Sequence, residues 1–99
     1  MTPDDRPQLV FFSSRRSGPA RRMESLLAHI ARKERSRLRV RKVDVEDRPD
    51  LAARFRVEQV PALALVVERR VGSRLEGRAT APRIESMLEP HLAEEQVAV

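Results

Sequence analysis

The chain has 99 residues, of which 40% are hydrophobic and 35% charged, with a formal net charge of +5 at pH 7. This length suits one domain with a single core, and the plentiful, dispersed apolar residues exclude a disordered chain. Because the chain contains no cysteine, thiol catalysis, thiolate ligation of a metal and a redox dithiol within the protein are all excluded.

The first third of the chain predicts a strand and a helix, and a second strand follows. Residues 9–12 form a short continuous apolar run, typical of a strand in a sheet that is covered on both faces. Residues 38–45 are rich in β-branched side chains and predict a second strand, joined to the first by a right-handed crossover. Between them, Pro19 suits the first turn of a helix. The apolar residues of that helix recur at helical spacing: Ala20, Met23, Leu26, Leu27, Ile30 and Ala31.

A short helix and a hairpin are predicted next. Asp47 is a suitable N-cap for a helix that ends near Arg56. Residues 62–68 and 73–76 predict two antiparallel strands, with a turn at residues 69–72 that contains glycine.

A last helix completes the pattern. It should begin after Thr80, and Pro90 should kink or end it. The resulting order is βαβαββα, which predicts an α/β fold with a mixed four-stranded sheet covered by helices. We expect an N-terminal extension at residues 1–7, the domain at 8–92 and a flexible tail at 93–99.

The element order and three local sequences resemble the thioredoxin superfamily over residues 8–92. Residues 17–20, Ser-Gly-Pro-Ala, stand where that family has Cys-Gly-Pro-Cys. Residues 55–66, FRVEQVPALALV, resemble the segment around the family's cis-proline. Residues 43–45 and 49–52 resemble the sequence between those points. The resemblance implies a minimal thioredoxin-like fold, without the extra N-terminal strand and helix of full thioredoxins, and a cis peptide bond before Pro61.

The chain departs from this family at the positions that carry redox chemistry. Ser17 and Ala20 replace the two cysteines, Arg16 replaces the preceding tryptophan, and Phe11 replaces a buried acid on the first strand. Thioredoxin catalysis needs a thiolate at a helix N-terminus and a nearby base. The resemblance therefore implies a redox-inactive protein that is not an enzyme, has no catalytic residue and needs no cofactor.

A binding surface can remain when the catalytic groups are gone. In the family, the backbone beside the cis-proline pairs with an extended peptide of a client protein, and this does not require cysteine. Our leading hypothesis is therefore a binding or adaptor module for a protein partner. The corresponding groove consists of Ser17, Gly18, Val60, Pro61 and Gly77.

Four arginines flank the Ser-Gly-Pro-Ala sequence: Arg15, Arg16, Arg21 and Arg22. Cations in the first turn of a helix oppose its dipole, so local stability does not explain them. A bound phosphate-type anion would, because helix N–H groups and guanidinium forks both bind anions. The alternative is a solvated arginine-rich surface without a ligand.

The basic residues are concentrated between residues 15 and 42, which hold eleven basic and two acidic side chains. Such a field favours phosphates, so the second hypothesis is binding of RNA or a ribonucleoprotein such as the ribosome through the first helix. Base stacking is not expected, because the only aromatic residues are Phe11, Phe12 and Phe55, all predicted in the core.

Two further chemistries are conceivable at the same end of the fold. Ser17 resembles the activating serine of some glutathione transferases, but 99 residues cannot supply the helical domain of those enzymes. An N-cap role for Ser17 is expected instead. Acidic side chains that offer oxygen ligands for Mg²⁺ or Ca²⁺ lack the spacing of a calcium loop, so no metal site is expected. These are Asp44, Glu46, Asp47 and Asp50.

No membrane association is expected either. The longest apolar run, residues 62–67, is far shorter than the roughly 18 residues that span a bilayer. The N-terminal sequence lacks the basic start and apolar core of a secretion signal, so we expect a cytoplasmic location.

Overall fold

The computed structural model describes residues 6–92. The predicted order of elements is confirmed. The predicted tail and the first five residues of the predicted extension lie outside the described residues. The strands are β1 Gln8–Ser13, β2 Arg39–Asp44, β3 Ala62–Val67 and β4 Arg70–Glu76, and the helices are α1 Gly18–Lys33, α2 Pro49–Arg54 and α3 Ala81–Leu88, followed by a 3₁₀ turn at Glu89–His91.

The four strands form one mixed sheet in the order β2-β1-β3-β4. β1 runs parallel to β2 and antiparallel to β3, and β3 is antiparallel to β4. Phe12 of β1 pairs with Val43 on one side and Ala62 on the other, and Ala62 pairs with Glu76. The carboxyl ends of β1, β2 and β4 therefore meet the amino end of β3 at one edge, which we call the site edge.

The core lies on both faces of this sheet. Alternate side chains of β1 point to opposite faces. Leu9 and Phe11 pack with the buried residues of α1 and α3. Val10 and Phe12 point to the face that carries α2. Phe12 meets Phe55, at the end of α2, with ring centroids 5.3 Å apart. The continuous apolar run of β1 is thus explained by burial on both faces.

The hairpin differs from the prediction. β4 begins at Arg70, so the connection from β3 is the two-residue turn Glu68–Arg69, whose φ angles are 51° and 69°. Two successive left-handed residues match the right-handed twist of the flanking strands. The predicted turn at residues 69–72 is therefore wrong. Gly72 lies inside β4, where the pairing register shifts, and a Cβ there would lie only 3.3 Å from His91 Cε1.

The N-cap assigned to α2 is also corrected. The residue before the helix is Arg48, which makes no side-chain cap, and Pro49 begins the helix. Asp47 instead donates its N–H to the carbonyl oxygen of Asp44 at 3.1 Å. The helix ends at Arg54, two residues before the predicted end.

Candidate functional site

The two halves of the predicted groove lie at the site edge. Because Phe12 pairs with Ala62, the loop that leaves β1 and the residues that enter β3 are neighbours at this edge. The loop leads to Ser17 and Gly18 at the start of α1, and the entry to β3 is Val60 and Pro61. Within residues 6–92, no hydrogen bond links Ser17 or Gly18 to Val60, Pro61 or Gly77.

Ser17 caps α1, as predicted. Its backbone is extended, with φ −98° and ψ 109°, and its Oγ accepts a hydrogen bond from the N–H of Ala20 at 3.1 Å. Its carbonyl oxygen accepts from the N–H of Arg21 at 3.0 Å, which starts the helical ladder. Pro19 follows without cost because its missing N–H falls in the first turn. The Ser-Gly-Pro-Ala sequence therefore works locally as a helix start.

Pro61 and Gly77 form the other side of the groove. The Val60–Pro61 peptide bond is cis, and the Pro61 side chain is buried. Gly77 donates its N–H to the carbonyl oxygen of Pro61 at 2.8 Å, with φ at +83°. A Cβ at Gly77 would have its nearest neighbour, Gln59 Nε2, 3.9 Å away. The left-handed backbone, rather than crowding, accounts for glycine at this position.

Val60 lies directly before Pro61 at the entry to β3. Its half-buried side chain packs against the cluster on the α2 face. Its N–H and C=O form no hydrogen bond with any residue between 6 and 92. Both groups are therefore available to a ligand at the site edge.

An ion-pair network that sequence reasoning missed fixes the loop after β1. The Ser14 hydroxyl donates to Glu46 Oε1 at 2.9 Å and accepts from the N–H of Arg16 at 3.1 Å. Arg16 Nε lies 2.9 Å from Glu46 Oε2. We call these three residues the Glu46 bridge. It ties the loop after β1 to the loop after β2. The sequence contains a signal for it, because a basic residue follows one strand and an acidic residue follows the other, and the carboxyl ends of neighbouring parallel strands lie side by side.

The four predicted anion-binding arginines separate into two pairs. Arg15 lies 3.5 Å from an Asp47 oxygen and 4.0 Å from an Asp44 oxygen, and Arg16 is held by the Glu46 bridge. Arg15 and Arg16 therefore already have anionic partners, which are the acidic side chains at the end of β2 and in the loop after it.

Within residues 6–92, the side chains of Arg21 and Arg22 have no such partner. Both are exposed, and neither guanidinium group forms an ion pair or hydrogen bond in that range. Arg22 extends back toward the start of α1, so a Cβ at Gly18 would lie 3.4 Å from Arg22 Nη1. With Glu24, these residues line an open depression of about 340 Å³. Lys42 Nζ donates a hydrogen bond to Glu24 Oε2 at 2.9 Å, so this carboxylate already has a cationic partner. Because Arg15 and Arg16 have acidic partners, only Arg21 and Arg22 remain candidates for the predicted anion site.

Other chemistry at the site edge is limited. No three acidic or histidine side chains within residues 6–92 converge on a point that could hold a metal ion. Just before α2, Arg48 donates two hydrogen bonds to the Asp50 carboxylate, at 3.1 and 2.9 Å. This contact lowers the pKa of Asp50 below its ordinary value and raises the pKa of Arg48.

Within residues 6–92, no helix is both long and apolar enough to cross a bilayer.

Comparison with known proteins identifies the family. The thioredoxin sequence profile matches residues 2–90. A thioredoxin-like protein of Synechocystis is 32% identical over 87 residues, which cover 88% of this chain and 80% of that protein. A bifunctional thioredoxin reductase/thioredoxin of Mycobacterium leprae is 33% identical over 93 residues, covering 89% of this chain, and the chain spans only 20% of that protein's length. The structure of the germline-specific thioredoxin Deadhead of Drosophila melanogaster matches with a TM-score of 0.83 at 27% identity, over 89% of this chain and 83% of that one. The chain therefore belongs to the thioredoxin family.

Proposed function

We propose that this protein is a redox-inactive thioredoxin-like binding module that holds an extended peptide segment of a partner protein at the site edge. The observation that carries the proposal is that the N–H and C=O of Val60, immediately before Pro61, have no hydrogen-bond partner within residues 6–92. An extended peptide that lies along Val60 gains main-chain hydrogen bonds, which give affinity without requiring a particular side chain.

The surroundings of Val60 support this mode of binding. Gly77 has no side chain, and its N–H is held by the carbonyl oxygen of Pro61, so the wall of the groove is fixed backbone. On the other side of the groove, the Glu46 bridge holds the loop after β1 in place through Ser14 and Arg16. A groove whose walls are already ordered loses little conformational entropy when a peptide binds.

The absence of cysteine supports redox inactivity. Ser17 and Ala20 occupy the two positions of the family motif, and neither offers a sulfur nucleophile. The Ser17 hydroxyl is already engaged as an N-cap acceptor. We therefore infer that the site binds rather than catalyses, with no cofactor.

The test uses peptides selected from a random library displayed on phage against the immobilised full-length protein. Gln59 is exposed beside Gly77, so Gln59→Trp should obstruct the groove. Arg83→Trp, at an exposed position of α3, is the matched control. We expect Gln59→Trp to weaken the affinity of a selected peptide by about tenfold or more, and the control to change it by less than about twofold. Equal affinities for the two variants would contradict binding at this groove.

A second candidate function is phosphate-directed binding of RNA at the start of α1, and Arg21 and Arg22 favour it. They are exposed and have no ion-pair partner within residues 6–92, and the adjacent helix N-terminus adds a positive partial charge. Two guanidinium groups that engage two phosphates of a single strand would make log K fall against log salt with a slope of about −1.4.

A uridine dodecamer titrated at several salt concentrations tests the second candidate. Arg21→Gln with Arg22→Gln should abolish most of that slope. Arg69→Gln with Arg70→Gln, in the hairpin at the opposite end of the sheet, removes the same charge and should have much less effect. Equal effects of the two double variants would mean diffuse attraction to net charge.

A further inference from the structure

A second surface lies on the sheet face that α2 covers only in part. α2 has six residues, and its contact with the sheet through Phe55 and Phe12 lies near the site edge. At the other end of this face, Val66 of β3 pairs with Val71 of β4, so their side chains are neighbours on the same face. Val71 is 47% exposed, and no other large hydrophobic side chain within residues 6–92 is exposed.

A pit lies between the end of α2 and the hairpin. Its volume is about 150 Å³, and we call it the Val71 pit. Phe55, Val66 and Val71 supply its apolar lining, and Arg54 and Arg69 complete its wall. A cavity of this order of volume holds a benzene-sized group. The Val71 pit therefore has room for one leucine or phenylalanine side chain.

The two charged side chains that line the Val71 pit are arginines, and neither has an ion-pair partner within residues 6–92. Arg54 and Arg69 are exposed, as is Arg41, which pairs with Val10 and so lies on the same face. None of the three guanidinium groups forms an ion pair or hydrogen bond with residues 6–92. Arg74, also on this face, is already engaged, since its Nη2 donates to the carbonyl oxygen of Arg56 at 2.9 Å. The acidic neighbour of Arg69 in sequence, Glu68, does not line the pit.

We propose that the Val71 pit is a docking site for a short acidic segment of a partner protein, which inserts one leucine or phenylalanine side chain. The apolar lining accounts for the anchor, and the cationic groups account for acidic residues on either side of it. A second copy of the chain is disfavoured, because it would bring like charges together. Nucleic acid is disfavoured because the exposed apolar group is a valine, which cannot stack on a base.

This surface is separate from the groove. β3 begins beside Pro61 at the site edge and reaches Val66 about five residues later, roughly 17 Å along the strand. The inference therefore stands or falls independently of the groove, and one molecule could hold two segments at once.

The test measures binding of a fluorescein-labelled nonapeptide with phenylalanine at its centre and four Asp or Glu residues on each side, using the full-length protein. We expect saturable binding that weakens about tenfold or more with Val71→Asp, with Arg54→Gln plus Arg69→Gln, and with alanine in place of the peptide's phenylalanine. Arg32→Gln plus Arg83→Gln removes the same charge from the helices on the opposite face of the sheet and should change the affinity by less than about twofold.

Several results would overturn the proposal. No binding at about 1 mM peptide, or equal losses from the two arginine pairs, would leave only diffuse attraction to charge. Uridine dodecamer binding as tight as the peptide's that Arg54→Gln plus Arg69→Gln weakens about tenfold, and that Val71→Asp leaves unchanged, would identify nucleic acid as the occupant. A dimer that Val71→Asp dissociates would identify a second copy as the occupant. A tenfold rise in affinity after Asp4→Asn plus Asp5→Asn, or Glu94→Gln plus Glu95→Gln, would identify a terminus of this chain.

Discussion

Removing the Glu46 carboxylate should destabilise the protein mainly through Ser14 rather than through Arg16. The two contacts have the same length, 2.9 Å, but different surroundings. Ser14 is only 7% exposed, whereas the Arg16 side chain is 87% exposed. A hydrogen bond to a charged group contributes about 1.5 to 3 kcal/mol, and the lower end applies here because the Glu46 side chain is 30% exposed. An exposed ion pair contributes about 0 to 1 kcal/mol.

We therefore expect Glu46→Ala to lower the free energy of unfolding by about 2 kcal/mol and Arg16→Ala by about 0.5 kcal/mol. For a domain of this size, about 2 kcal/mol corresponds to a fall in Tm of roughly 8 to 16 °C. Glu46→Gln is the matched control, because it keeps an acceptor for the Ser14 hydroxyl while losing the charge. It should cost less than Glu46→Ala.

The assay is urea unfolding followed by circular dichroism, with double-mutant cycles for the two pairs. The coupling energy between Ser14 and Glu46 should exceed that between Arg16 and Glu46. It should also persist in about 1 M NaCl, where exposed charges are screened within about 3 Å. A larger coupling for the Arg16 pair, or no loss of stability in Glu46→Ala, would refute the reasoning.

Three further outcomes are expected. Gly77→Ala should cost about 1 to 2 kcal/mol in urea unfolding, because alanine is strained at a φ of +83°; an unchanged midpoint would contradict this. Glu68→Asn with Arg69→Gly should raise the free energy of unfolding by about 1 kcal/mol, since asparagine followed by glycine suits a turn with two left-handed positions; destabilisation would count against the observed turn. The pKa of Asp50, measured by carbon NMR, should lie below its ordinary value of 3.8 because of Arg48, so the pair's stabilising effect is complete above pH 3.8 and is lost as pH falls through the lowered pKa; a pKa at or above 3.8 would exclude that contact in solution.

The order of elements and the core could be predicted from the sequence because local patterns determine them. Residues 9–12 are continuously apolar, and the structure buries alternate members on the two faces of the sheet. Ser17 and Pro19 were correctly placed at the start of α1, since capping and the missing proline N–H act within one turn.

The errors and omissions arise where long-range geometry decides. Gly72 suggested a turn, but it lies inside β4 at a shift in the pairing register. That shift depends on how β4 pairs with β3. Asp47 suggested a cap, but it lies against Arg15 from the neighbouring loop. The main chain of Val60 is unpaired among residues 6–92 and Val71 is exposed because of which parts of the sheet the other elements leave uncovered. No local pattern of residues encodes that.

Amide hydrogen exchange at Val60 tests the central proposal most directly. Without a ligand, the Val60 N–H has no hydrogen-bond partner within residues 6–92. A saturating concentration of a peptide selected for binding should slow its exchange by about tenfold or more, because the proposed contact is a main-chain hydrogen bond at this N–H. The N–H of Val71, at the other end of the sheet, should be unaffected. Unchanged exchange at Val60 with the peptide fully bound would contradict the proposal that the groove beside Pro61 binds extended peptide.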